Sequence, residues 1–182
     1  MLHLDDIIRL KVQKYIVENY QARVDNNFLR KDMSQYLNAI GEVVMAHLLK
    51  IPIDTFIAQY RTARKMGVAM LLRKDDKLIG IDVATSVIHT PNKLLTKHMI
   101  LTPEHTNINN GLTSKAIIGV FIPHSCNDRP DNAEVLAAGW LNAKHINEVT
   151  NVKPKSFKSD IDVKFVKCSS LNPMQSLPKI AA

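Results

Sequence analysis

The chain has 182 residues, is 46% hydrophobic, and carries 24 Lys and Arg against 17 Asp and Glu, a formal net charge of +7. That length and apolar content suffice for one domain spanning 1–182 with its own core, and the positive excess favours a polyanionic partner such as nucleic acid. Cys126 and Cys168 lack neighbouring thiols, which excludes a disulfide scaffold and a four-cysteine zinc site. The N-terminus is charged throughout and no run of about 18 apolar residues exists, so a signal peptide and a membrane helix are excluded and the cytoplasm is the expected location.

Taken in chain order, residues 5–22 show Ile7, Ile8, Val12, Tyr15 and Ile16 among Arg9, Lys11 and Lys14, a pattern that predicts an amphipathic helix within an N-terminal helical segment over about residues 1–33. After the polar "VDNNF", a second helix is predicted over "SQYLNAIGEVVMAHLLK", with Ser34 at its start. Leu37, Ile40, Val44 and Leu48 share one side and Ala39, Val43 and Ala46 another, so this helix should be buried. Its one formal charge between Leu37 and Leu49 is Glu42. "DTFIAQYRTARKMG" predicts a third helix, rich in Arg61, Arg64 and Lys65 and stopped by Gly67.

The period then changes from helical to alternating. "VAMLLR", the turn "KDDK" and "LIGIDVATS" predict a hairpin whose second strand is β-branched. From His89 to Ser114 the chain is polar and long for a loop, with room for a short helix around Lys93 to Ile100. "KAIIGVFIP" and "EVLAAGWL" read as strands, "NAKHINEV" as a helical turn or two, "DIDVKFVK" as a last strand and "SSLNPMQSL" as a terminal helix. Helices followed by strands predict an α/β domain with a mixed β-sheet flanked by helices.

Strand alternation aims Leu78, Gly80, Asp82 and Ala84 one way and Ile79, Ile81, Val83 and Thr85 toward the core. Asp82 and Glu42 are then two carboxylates near apolar surface without evident basic neighbours. Ionising them there is costly, and a divalent cation with oxygen ligands, Mg²⁺, would remove the cost. Solvation of Asp82 at a sheet edge and an arginine partner for Glu42 are the plainer alternatives.

The Gly-Glu pair in "IGEVVMAHLL", the strand ending "DVAT", the strand "AIIGVFIP" and the turn into "AAGWL" together resemble the PD-(D/E)XK nuclease superfamily, with its restriction-endonuclease-like fold. The closing "VKFVKCSSLNPMQSL" resembles phage-type and homing members. The likeness spans roughly residues 34–178. It implies that Asp82 ligates Mg²⁺ with the Val83 carbonyl as a further ligand, and that Glu42 orients metal or metal-bound water. It also implies a lysine at position 84, which here is alanine. A methyl group cannot lower the pKa of water, which leaves a natural pseudo-nuclease, an ammonium brought in by Lys77 or Lys97, or a lysine replaced on purpose; the intact strand around Ala84 favours the last. The motif's first aspartate is missing from "VAMLLR", and Asp75 and Asp76 read as turn residues.

Beyond the motif, "HSC" at His124–Cys126 has no second ligand pair and zinc is discarded, while His98, Glu104 and His105 could form an acid–base group. Trp140 reads as a core residue, and Arg61, Arg64, Lys93 and Lys97 as phosphate contacts. The expectation is a site-specific Mg²⁺-dependent endonuclease of double-stranded DNA, inactivated at position 84 and acting as a homodimer or higher homo-oligomer. A non-catalytic DNA-binding protein of the same fold and a basic protein-interaction module are the alternatives.

Overall fold

The computed structural model describes residues 2–11, 33–106, 112–124, 134–148 and 163–177. The expected α/β class is observed. Helices α1 (Met33–Leu48) and α2 (Ile53–Lys65) lie against a five-stranded sheet built from β1 (Ile8–Lys11), β2 (Met70–Lys74), β3 (Lys77–Ile88), β5 (Ser114–Pro123) and β6 (Glu134–Asn142). Their spatial order is β1-β6-β5-β3-β2, antiparallel throughout except for the parallel pair β3 and β5. A separate antiparallel pair joins β4 (His98–Leu101) to β7 (Lys164–Lys167).

The period-2 alternation of the strands divides the interior into two cores. Ile81 and Val83 of β3, Ile118, Val120 and Ile122 of β5, and Val135 and Ala137 of β6 face a first core closed by Leu37, Ile40 and Val44 of α1 and Phe56 of α2. Ala84, Ile88, Ile117, Phe121, Leu136 and Ala138 face a second, closed by Leu94, Met99, Leu101, Val166 and Leu171. The parallel pairing explains the second cover. A parallel connection must cross over the sheet, and here the crossover carries a 3₁₀ turn (Pro91–Thr96), β4 and the one-turn helix α3 (Pro103–Thr106). β3 is therefore buried on both faces from Gly80 to Ala84, and the side of Asp82 and Ala84 is not the open face that alternation alone suggested.

Gly41 lets α1 lie directly on β3: a Cβ there would fall on Thr85 Oγ1 and press against Val83 Cγ1. At the end of α2, Gly67 takes φ 68° and donates its N–H to the Arg64 carbonyl, the helix stop expected of it. The hairpin β2–β3 turns through Asp75 and Asp76 at φ 44° and 35°, so both are turn residues, in the left-handed region that tight hairpins need and Asp tolerates better than most.

Several elements differ from expectation. Residues 5–11 are not α-helical: a 3₁₀ turn (Leu4–Asp6) leads into β1, whose Ile8 and Leu10 alternate onto the first core while Arg9 pairs with Glu134 at 3.8 Å. The free edge of β6 offers a ladder that four alternating residues can fill, and this outweighs a weak helical period. Residues 12–22 of that predicted helix, and the rest of the N-terminal segment to residue 32, lie outside the described residues. The helix expected around Lys93 to Ile100 is the 3₁₀ turn followed by β4, and the terminal helix is two 3₁₀ turns, Cys168–Ser170 and Met174–Ser176. Among the described residues no helix is long and apolar enough to cross a membrane.

Candidate functional site: a buried charge cluster and a basic cleft

Asp82 is 7% exposed and Lys115, at the start of β5, is wholly buried. Lys115 Nζ lies 3.1 Å from Asp82 Oδ2 and donates to the carbonyls of Gly67 at 2.8 Å and Glu104 at 3.0 Å. An ammonium has three N–H donors, which these acceptors can take up. They come from β3, the connection after α2, and α3, so one side chain ties three segments together. The other oxygen of Asp82, Oδ1, accepts the Val83 N–H at 3.0 Å. Such full satisfaction is what a buried ion pair requires, because each ion loses several kcal/mol of hydration.

Glu42 of α1 is also buried and accepts from Arg64 Nη2 of α2 at 2.5 Å. Arg64 lies over the Tyr60 ring, 5.3 Å from its centroid, and its Nε donates to the Tyr60 hydroxyl. Burial pushes the Glu42 carboxyl up to about 7; Arg64 pulls it down, and the nearby Asp82 charge raises it further. The two acids approach from different sides of β3, since α1 rests on Val83 and Thr85 while Asp82 leaves the strand opposite to them.

The expectation that the acids lack basic neighbours is thereby corrected: each has its own cation. Ala84, in the position of the motif lysine, is 2% exposed and packed within the second core. Val83 is 5% exposed in the first core. Neither Lys77 nor Lys97 serves Asp82. Lys77 is exposed beside the hairpin turn and Lys97 is exposed on the crossover. Among the described residues no three His, Cys, Asp or Glu side chains form a group able to hold a metal ion. With both carboxylates engaged by cations, this donor set does not fit Mg²⁺ as arranged.

The four expected phosphate contacts do not share a surface. Arg61 and Arg64 are on α2, which covers the first core, whereas Lys93 and Lys97 flank Leu94, which covers the second. On the second side, Lys97, His98 and His89 line a cleft of about 400 Å³ whose lining holds no acid among the described residues. Lys167 is exposed beside it, opposite His98 in the β4–β7 register. Burial and the Lys167 charge lower the His98 pKa, so its ring is neutral at pH 7.

The other expectations resolve in detail. His98, Glu104 and His105 form no joint acid–base group: His98 faces the cleft, the Glu104 carbonyl serves Lys115, and His105 Nδ1 accepts from the Thr102 N–H at 3.1 Å. Trp140 packs on the first core but only half-buried, its Nε1 donating to Ser176 Oγ at 3.1 Å. His124 stacks on His89, and Cys126 lies outside the described residues. Sequence reading missed Lys115, because a lysine heading an apolar strand looks like a boundary with solvent. The one available signal was that a buried acid on β3 needs a cation from a neighbouring strand. Comparison with known proteins returns no matching family model, curated protein or solved structure.

Proposed function

We propose that this chain binds double-stranded DNA through the basic surface over its second core and does not cut it. The observation that carries the reading is the distribution of charge: the acids at 42 and 82 are buried and paired, while Lys93, Lys97 and Lys167 stand exposed on the side of a cleft that is lined by Lys97 and, among the described residues, by no acid. Unpaired surface cations on a protein of net charge +7 are suited to phosphate contacts that release counterions.

Three such contacts give a plot of log K against log salt with a slope of about −3, and Lys97→Ala reduces its magnitude by about 1. Fluorescence polarisation of a labelled duplex over a salt series measures both. Arg61→Ala, on the other side of the sheet, leaves the slope unchanged. Absence of binding at low salt would refute the reading and favour a protein-interaction module.

A Mg²⁺-dependent endonuclease is the second reading, and one observation favours it: burial raises Glu42 to about 7 and the Asp82 charge adds a smaller push, so the two acids sense each other and a divalent cation would ease both effects. In that reading Glu42, Asp82 and the Val83 carbonyl would hold the ion, whose chemistry is to activate water, and a second copy of the chain would be needed for the other strand. It requires Arg64 and Lys115 to release their carboxylates and the two acids, which lie on different sides of β3, to be brought to one ion. Plasmid cleavage by the chain with Mg²⁺, abolished by Asp82→Ala, is the result that would replace the first reading by the second. Ala84→Lys is expected to destabilise the fold rather than confer cleavage, because its ammonium would enter the second core.

A further inference from the structure

The cleft has features that a phosphate-binding surface does not need. Phe121 and Phe165 lie at its base, each 2% exposed. His98 stands edge-on to Phe165, ring centroids 6.4 Å apart at 83°. At the rim, His89 and His124 stack at 4.3 Å and 26°, a juxtaposition fixed by register, since each follows a member of the paired residues Ile88 and Pro123. Both rings are exposed. The cleft thus opens at the carboxyl ends of the parallel strands β3 and β5, where open α/β sheets seat ligands. Its volume of about 400 Å³ is within the small-molecule range and far too small for a duplex.

Resting on the DNA-binding reading, we propose that this cleft seats one unpaired nucleotide, the base against the exposed ring of His89, the phosphate against Lys97. Among the described residues the lining has no acid to oppose a phosphate, and Lys97 is exposed and supplies its charge at the edge. A ring face such as that of His89 accepts any base by stacking, so the site discriminates nucleotide from sugar or phosphate rather than one base from another. Neutral His98 offers both a donor and an acceptor to a base edge. A base reaches such a site from a single strand, from a duplex by leaving the stack, or as a free nucleotide.

Isothermal titration distinguishes these sources, using thymidine monophosphate, thymidine, inorganic phosphate, an oligothymidylate of about eight nucleotides and a blunt duplex. The oligonucleotide is expected to bind, and Lys97→Ala and His89→Ala each to weaken it about five- to tenfold. Both side chains are exposed, so neither change should disturb the fold. Thymidine and phosphate alone are expected to bind at least about tenfold more weakly than the monophosphate, since each engages half of the cleft. Binding of the oligonucleotide without the monophosphate supports the proposal and identifies a strand as the source; binding of both adds the free nucleotide. If neither binds, or if both variants bind as the parent does, the cleft proposal is overturned. In that event a duplex that still binds with its salt slope leaves the DNA reading standing, and a duplex that does not bind removes both.

Discussion

The two halves of β3 treat polar groups in opposite ways. In the first half Asp82 is buried beside Lys115, and its oxygens and that ammonium are matched by partners from neighbouring segments. Toward the end of the strand Ser86 and His89 line a cleft with Lys97, whose ammonium meets solvent with no acid in the lining among the described residues. Saturated polar clusters fix architecture, whereas an unsaturated, accessible one has bonding capacity left for a ligand. The residues that first draw attention as chemistry therefore belong to the scaffold, and the ones that read as ordinary surface charge surround the candidate binding site.

That contrast is most open to attack at Lys115. Lys115→Met leaves Asp82 buried without its cation and should cost about 3–5 kcal/mol in urea unfolding, while Asp82→Leu combined with Lys115→Met should recover most of the loss. A single-mutant loss below about 1 kcal/mol would show that the pair is not a structural clip.

A smaller effect comes from Glu42, whose carboxyl titrates near 7 in the folded chain against an ordinary 4.5. Between those values the folded state holds a proton that the unfolded state has released. Stability from this group is thus greatest below pH 4.5 and falls as pH rises to about 7. The fall is about 3 kcal/mol, and Glu42→Gln should flatten it in denaturation curves recorded across that range. A stability that rises over the same interval in the parent, and not in Glu42→Gln, would mean that Arg64 dominates over burial.

The smallest effect tests the boundary between the halves. Thr85 Oγ1 is buried under Gly41 and has no hydrogen-bond partner among the described residues. Thr85→Val replaces that hydroxyl by a group of similar shape and should raise stability by about 1 kcal/mol in thermal unfolding. A loss of stability instead would assign the hydroxyl a partner and extend the saturated half of the strand further along β3.

Local patterns made much of the fold legible. The long apolar runs became β5 and β6, the acidic turn between alternating segments became the hairpin, and Gly67 closed α2 as a helix stop. Each depends on neighbours within a few residues, which periodicity and turn chemistry report directly. β1 and β4 escaped because each has four residues, too few for a period to declare itself, and each exists only because a partner strand is present to complete its ladder.

The sequence by itself determined that Glu42 and Asp82 are acids in apolar surroundings, since the flanking side chains bury them in any fold that keeps the helix and the strand. Which cations meet them was decided by tertiary structure alone. Lys115 reaches Asp82 because β5 lies beside β3 in one particular register, and Arg64 reaches Glu42 because α2 packs next to α1. A buried charge dictates that it must have a partner, but only the arrangement of segments distant in the chain dictates who that partner is.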